Sequence, residues 1–450
     1  MCAKLFREIK EEVTDFLSGL IRINTTNPPG NETAAAKYVA KTLEQDGFKC
    51  ELFESAPGRG SVVTRLKGES RKPSLLLLSH LDVVAANPKE WSVDPFGGLV
   101  KNGFVWGRGA LDMKGMTAVE VMALKLLKRN GAKLKGDVLL AATADEEKGG
   151  EAGAGWLVRN HPDRVYADCV VNEGGGMAMQ VNGKDMFTIN TAEKGILWFK
   201  VKATGTPGHG SVPGAADNAI LRLNKVVERL GNYRPKASLV PAVEQYLRAI
   251  AESSDLKNLS ALLENPAKSD EILDALAQRD KYLAEELRAR LRMTVTPTMI
   301  NGGVKENIIP SECEAVFDCR ILPGQTMVKA LSEVKSLLKD VGLDKLSFET
   351  IQANEPSESS LDHPLYKHIV QVLTEFEPKC SVTPVMLTGG TDSRFFRKLG
   401  SVCYGFHPVS PETSYSEMQK TIHGIDERIS QQNLVFGTSV LHDVVQRFMA

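Results

Sequence analysis

Three uninterrupted apolar runs constrain this chain more than any other feature. Leu75-Leu76-Leu77-Leu78, Val138-Leu139-Leu140-Ala141-Ala142 and Cys169-Val170-Val171 lack the polar alternation of a strand with one wet face. They suit strands covered on both sides. Amphipathic helical stretches alternate with them. Leu5, Ile9, Val13, Phe16, Leu17 and Leu20 recur at helical spacing, and Val119, Met122, Ala123, Leu126 and Leu127 do so between Lys114 and Arg129, before Asn130-Gly131. A second helix is expected from Asn31, as N-cap, to Gly47, with a strand at Ser61 to Leu66. This alternation predicts an α/β fold whose sheet is flanked by helices, with ligands collecting beyond the carboxyl ends of the strands.

Each apolar run ends in groups that bind cations. The first closes on Ser79-His80-Leu81-Asp82, the second leads to Asp145-Glu146-Glu147, and the third leads to Asn172-Glu173. Residues 80 and 82 share one face of a strand, so Asp82 either accepts the second ring N–H of His80 or is itself a ligand. Glu146 and Glu147 repel each other and are costly to desolvate without a cation nearby. One can bind metal while its neighbour takes a proton from activated water. Asp112, after Gly107-Arg108-Gly109, reads either as a helix cap or as a carboxylate bridging two ions, and His423 is ambiguous on its own.

Composition excludes other classes. A formal net charge of −1 over 450 residues offers no electrostatic basis for nucleic acid or an anionic membrane as partner. The basic start at Lys4 and Arg7 runs into Glu11 and Glu12 without an apolar signal core. Seven cysteines, without a C-x-x-C pair, read as free thiols in a reducing compartment, so a cytoplasmic address is expected.

From Lys194 the texture changes. Strands are expected at Leu197 to Thr204, Thr294 to Asn301, Cys313 to Leu322 and Phe348 to Gln352, with a helix near Val328 to Leu338 and a loop at Gly205 to Ser211. The helical, charge-dense stretch between them carries a stripe of Ile272, Leu273, Leu276, Leu283, Leu287 and Leu291, expected to pack on its own domain. For His423 to reach the other ligands, the segment after Pro356 must return to the first domain. The expected organisation is a catalytic domain in two parts, 1–193 and 355–450, interrupted by a lid or dimerisation domain, 194–354.

Together these residues resemble the dinuclear zinc amidohydrolases that include aminoacylase, acetylornithine deacetylase, succinyl-diaminopimelate desuccinylase and related carboxypeptidases. The resemblance is carried by Asn24-Thr25-Thr26-Asn27-Pro28-Pro29-Gly30-Asn31-Glu32, Ser79 to Asp82, Trp91 to Phe96, Gly107 to Gly115, Asp145 to Glu147, Gly208 to Pro213, Glu306 to Pro310 and Gly389 to Phe395. It implies a zinc-peptidase-like catalytic domain with a mixed sheet and an α+β lid. It also implies two divalent ions, zinc first, with cobalt and manganese also fitting. His80 and Glu173 would hold one ion, Glu147 and His423 the other, and Asp112 would bridge them through a residue followed by a cis peptide. Asp82 would orient His80, Glu146 would act as general base and then acid, and His209 would stabilise the oxyanion, from this chain or from a second copy in a homodimer. Arg320 and Asn307 would receive the substrate carboxylate, with Gly390, Thr391 and Arg394 shaping the same pocket. The implied reaction is hydrolysis of an amide or peptide bond beside a free carboxylate, in an N-acyl amino acid or dipeptide. The alternatives are a biosynthetic deacylase of acetylornithine or succinyl-diaminopimelate and a ligand-binding descendant without turnover.

Overall fold

The computed structural model describes residues 3–70, 72–181, 183–253 and 259–450. The apolar runs form the centre of a mixed sheet. Leu75–His80 lies parallel between Val138–Thr143 and Cys169–Asn172, and Val402–Gly405 extends the parallel set beyond Cys169–Asn172. Gly60–Leu66 and Cys50–Glu54 add antiparallel strands on one side, and Lys184–Glu193 continues the sheet on the other. All six residues of Leu75–His80 and of Val138–Thr143 are buried, as continuous apolar patterning requires. Helices Ala3–Ile21, Glu32–Glu44, Lys114–Arg129, Pro364–Phe376 and Gln431–Met449 pack their apolar residues into the principal core. Cys2 and the Leu5 side chain lie outside the described residues.

The register places His80 level with Thr143 and Asn172 level with Gly405. His80, the Asp145–Glu147 turn and Glu173 therefore leave the sheet at one end. Several strands of this sheet lacked a sequence reading, two of them parallel to a neighbour. Ser381–Leu387 pairs parallel with Lys184–Glu193 despite Pro384, and Val402–Gly405 is only four residues long.

The second sheet is antiparallel, ordered Thr294–Gly302, Glu312–Ile321, Gly195–Thr204, Leu346–Asn354. Here burial alternates, because one face packs on helices Ala219–Gly231 and Met327–Ser336 through Leu197, Phe199, Val201, Ala315 and Phe317. The expected loop at Gly205 to Ser211 contains a two-residue strand, Gly208–His209, paired with Ile308–Ile309. The helical stripe packs across the expected domain line. Leu273, Leu276, Leu287 and Leu291 share a core with Met186, Val385 and Met386 of the first sheet. Lys194 ties this block to the crossing strand by donating to the carbonyls of Ala289 and Arg292 at 2.9 Å each.

Local expectations also needed correction. Asn31 occupies the N-cap position of Glu32–Glu44 without a side-chain capping bond, and its Nδ2 donates to the Asn24 carbonyl. Asp112 does not cap the helix at Lys114; Met113 holds that position, and the Asp112–Met113 peptide is cis. His423 follows helix Tyr415–Thr421 at φ +57, so it stands just past a helix exit.

Candidate metal centre

Five side chains converge at the carboxyl end of the first sheet. Asp112 lies between two histidines, with Oδ1 3.2 Å from His80 Nε2 and Oδ2 3.1 Å from His423 Nε2. Glu173 Oε2 is 3.8 Å from His80 Nε2, and Glu147 Oε1 is 3.4 Å from His423 Nε2. The result is two ligand sets, His80–Asp112–Glu173 and Asp112–Glu147–His423, each with its ligand atoms within 4.8 Å of one another. Glu147 Oε1 is buried without a hydrogen-bond partner, as a carboxylate oxygen shaped for a cation would be. Two imidazoles and three carboxylates, with Asp112 shared, fit a pair of divalent ions.

The electrostatics point the same way. Burial pushes the Glu146 carboxyl well above its ordinary range, and the nearby charge of Glu173 adds to the shift, while His80 opposes it. Glu173 is also raised by burial, although His80 opposes this. For Asp112 burial is outweighed by bonds from His423 and His80, so its carboxyl sits below the ordinary range. His423 is raised to about 10 by the carboxylates of Asp112 and Glu147 beside it. Carboxylates this close titrate against each other unless positive charge sits among them.

The N-terminal motif braces the centre. Asp82, with no exposure, accepts from the backbone N–H groups of Glu146 at 3.0 Å and Glu147 at 3.1 Å, and from Asn27 Nδ2 at 2.8 Å. His80 Nδ1 meets the Asp82 carbonyl at 3.0 Å and its carboxylate at 3.4 Å, so both parts of Asp82 face the ring. Asn27 Nδ2 also donates to Asp145 Oδ1 at 3.2 Å. Asp145, at φ +75, pairs with Arg59, which also reaches Glu32 at 2.8 Å. The Asn24–Glu32 segment thus fixes the turn presenting Glu146 and Glu147. Asn27 and Asp145 had no sequence signal beyond their motifs, and Arg59 lies in none of them.

The remaining candidates belong to neither ligand set. His209 is exposed, and the hydrogen bonds of its side chain among the described residues, both to Ser211, use Nδ1. The two-residue pairing places it beside Asn307, whose carbonyl accepts from Gly210 N–H at 2.8 Å. Arg320 sits on an interior strand, not an edge. Its fork is engaged by Asp318 at 2.7 and 3.1 Å, and it lies 5.9 Å from the Trp198 ring centroid. Thr391 donates to Glu193 Oε1 at 2.7 Å, and Arg394 donates to the carbonyls of Thr391 and Gly149. Beside Gly390 and Thr391 the sequence reading passed over Asp392. This side chain is 2% exposed and has an unpartnered Oδ1; burial raises its carboxyl to about 7, and Asp82 and Glu173 add to the shift.

Comparison with known proteins supplies the family. The model of peptidase family M20/M25/M40 matches residues 76–447. The chain is 30% identical over 450 residues to the N-fatty-acyl-amino acid synthase/hydrolase PM20D1 of Bos taurus, covering 95% of this chain and 86% of that protein. It is 27% identical over 428 residues to aminoacylase-1B of Rattus norvegicus, covering 93% and 91%. The M20 family metallo-carboxypeptidase Sso-CP2 from Sulfolobus solfataricus has the same fold, with a TM-score of 0.73 at 20% identity, over 97% of this chain and 99% of that one. The chain belongs to peptidase family M20/M25/M40. It is a hydrolytic metalloenzyme of the amide-cleaving class.

Proposed function

We propose that this enzyme hydrolyses the amide bond of an N-acyl amino acid or dipeptide, beside a free carboxylate, with two zinc ions held by His80, Asp112, Glu147, Glu173 and His423. The observation that carries the reading is the shared Asp112, placed between two complete three-residue ligand sets. The relatives named as an N-fatty-acyl-amino acid synthase/hydrolase and an aminoacylase favour the N-acyl amino acid over the dipeptide. Cobalt and manganese suit the same donors.

When bound, such an ion pair polarises an amide carbonyl and lowers the pKa of nearby water. The protein's own groups do the rest. Glu146, held by its backbone N–H on Asp82, accepts the proton of the attacking water and returns it to the departing nitrogen. Its raised carboxyl suits both roles, since a proton gained there is readily kept and then given up. His209 donates to the oxyanion as it forms. Asn307 and Arg320 take the substrate carboxylate, which must displace Asp318 from the Arg320 fork. Gly390 and Thr391 line the same pocket, with Arg394 bracing their turn through the Thr391 carbonyl.

His209 is supplied, on this reading, through a homodimer formed by the second sheet. Thr294–Gly302 is an open edge of that sheet and exposes Met299 and Ile300 by more than two thirds, which suits strand addition by another copy. Among the described residues no helix is long and apolar enough to cross a membrane. The six described cysteines are free, in keeping with a cytoplasmic address.

The test is hydrolysis of a panel of N-acyl amino acids and dipeptides, before and after exhaustive chelation. Activity is expected to vanish with the metal and return when zinc is restored. Full turnover by the metal-free enzyme would overturn the mechanism. Failure on every carboxylate-bearing amide with two ions loaded would overturn the substrate class.

A further inference from the structure

Glu427 lies four residues beyond His423, fully buried, and belongs to neither ligand set. Its Oε1 accepts from the backbone N–H groups of Leu111 at 2.7 Å and Asp112 at 3.0 Å. Its Oε2 accepts from Gly109 N–H at 3.1 Å and from Arg108 Nη1 at 2.7 Å. The second arm of Arg108 donates to the Gly424 carbonyl at 2.7 Å, and Gly107 N–H donates to the Glu427 carbonyl at 2.9 Å. Arg108 is itself 2% exposed and lies 5.2 Å from the Trp91 ring centroid. Just beyond, Arg428–Ser430 pairs with Phe104–Trp106, so the two segments are held on both sides of this contact.

These contacts join the two segments that each deliver one ligand of the His423 set. A turn bonded at Gly109, Leu111 and Asp112 leaves the Asp112 backbone little freedom, and that backbone aims the carboxylate between the two histidines. The Arg108 bond to Gly424 restrains the residue next to His423, which stands at φ +57. A carboxylate buried away from water is retained only where its donors match it in full, and here four donors do. We propose that Glu427 is a positioning residue for the metal pair: it fixes Asp112 as the shared ligand and, through Arg108, sets His423 against it. The proposal rests on the ligand assignment made above and adds what holds that geometry.

Glu427→Gln tests it. The variant keeps the size of the side chain but turns an amide NH2 toward groups that are themselves donors. In a titration of metal-free protein with zinc against a chromophoric chelator, wild type is expected to take two ions. The variant is expected to hold both ions more weakly, since Asp112 serves both, and the ion of the His423 set the most weakly, by about 10- to 100-fold. Its kcat at limiting zinc should fall and recover with excess zinc, with KM unchanged. Two ions bound at wild-type affinity, with any loss of activity following only a lower Tm, would overturn the proposal. Should Glu427→Gln fail to fold, Arg108→Lys carries the test, since lysine keeps the charge but has no second arm for Gly424. A smaller weakening of the same ion supports the assignment, and unchanged affinity for both overturns it. Wild-type protein that takes up fewer than two ions overturns the ligand assignment itself, and the proposal with it.

Discussion

Asp82 and His209 stand in contrasting surroundings. Asp82, two residues past strand Leu75–His80 of the first sheet, has no exposure and receives two backbone donors and the Asn27 amide, beside the His80 ring. His209 is exposed on the two-residue strand Gly208–His209, beyond strand Gly195–Thr204 of the second sheet, and its side chain bonds to Ser211 alone among the described residues. Arg320 lies on the second sheet itself, with its fork spent on the Asp318 carboxylate. The groups that would hold ions are fixed before anything binds. The groups that would meet the substrate must be brought up or set free. Ion binding tolerates little misplacement, whereas substrate must enter and leave, so the division suits the chemistry proposed for each half.

Glu146→Gln is the strongest attack on the preset half. Turnover should fall by about 10²- to 10⁴-fold, with both metal ions retained and the melting temperature little changed, because the variant removes proton transfer and no ligand. Metal analysis beside steady-state kinetics checks this. Retained turnover would leave the raised Glu146 carboxyl without a role.

His209→Ala probes the other half. A lost oxyanion donor costs about 10²- to 10³-fold in kcat, while an exposed side chain with so few partners should leave stability unchanged. Mixing this variant with Glu146→Gln distinguishes the source of the histidine. Mixed dimers regain activity if His209 reaches across to the partner's site, and they stay inactive if it acts within its own chain.

A smaller effect is expected at the Asp318–Arg320 pair. Removing the fork with Arg320→Met should raise KM for carboxylate substrates by about 10- to 100-fold, the range of a charge-assisted bond. Asp318→Asn should lower KM by releasing a competitor for the same fork. If both variants leave KM unchanged, the carboxylate is bound elsewhere.

The same contrast explains what was legible in the sequence. Leu75–Leu78 and Val138–Ala142 announce buried strands because both faces are apolar, and the acids and the histidine after them announce a site at their ends. Ser381–Leu387 was not readable, since Pro384 argues against a strand and only its outer pairing with Lys184–Glu193 accommodates it. The stripe at Leu273, Leu287 and Leu291 declared a buried face but not its partner, because periodicity does not encode which layer covers it. The braces were hidden for a related reason. Asn27, Arg59 and Glu427 act across separations of 55 to 319 residues, which no local spacing reveals.

Glu120 offers the gentlest test of how firmly the first half is set. It lies on helix Lys114–Arg129 with no exposure, and both carboxylate oxygens lack a hydrogen-bond partner. Burial pushes its carboxyl up to about 8, opposed by the hydroxyl of Ser79, the residue before His80. The sign follows from linkage. Between its ordinary value of 4.5 and about 8, the folded protein keeps a proton that the unfolded chain releases, so this group lowers stability as pH rises through that window. Glu120→Gln carries no such proton. Melting temperatures of the two proteins should therefore lie closest near pH 5 and separate by a few degrees toward pH 8, with the glutamine variant the more stable. A gap that stays constant with pH would mean that Glu120 is already ionised in the fold, and that the layer behind His80 holds a compensating charge.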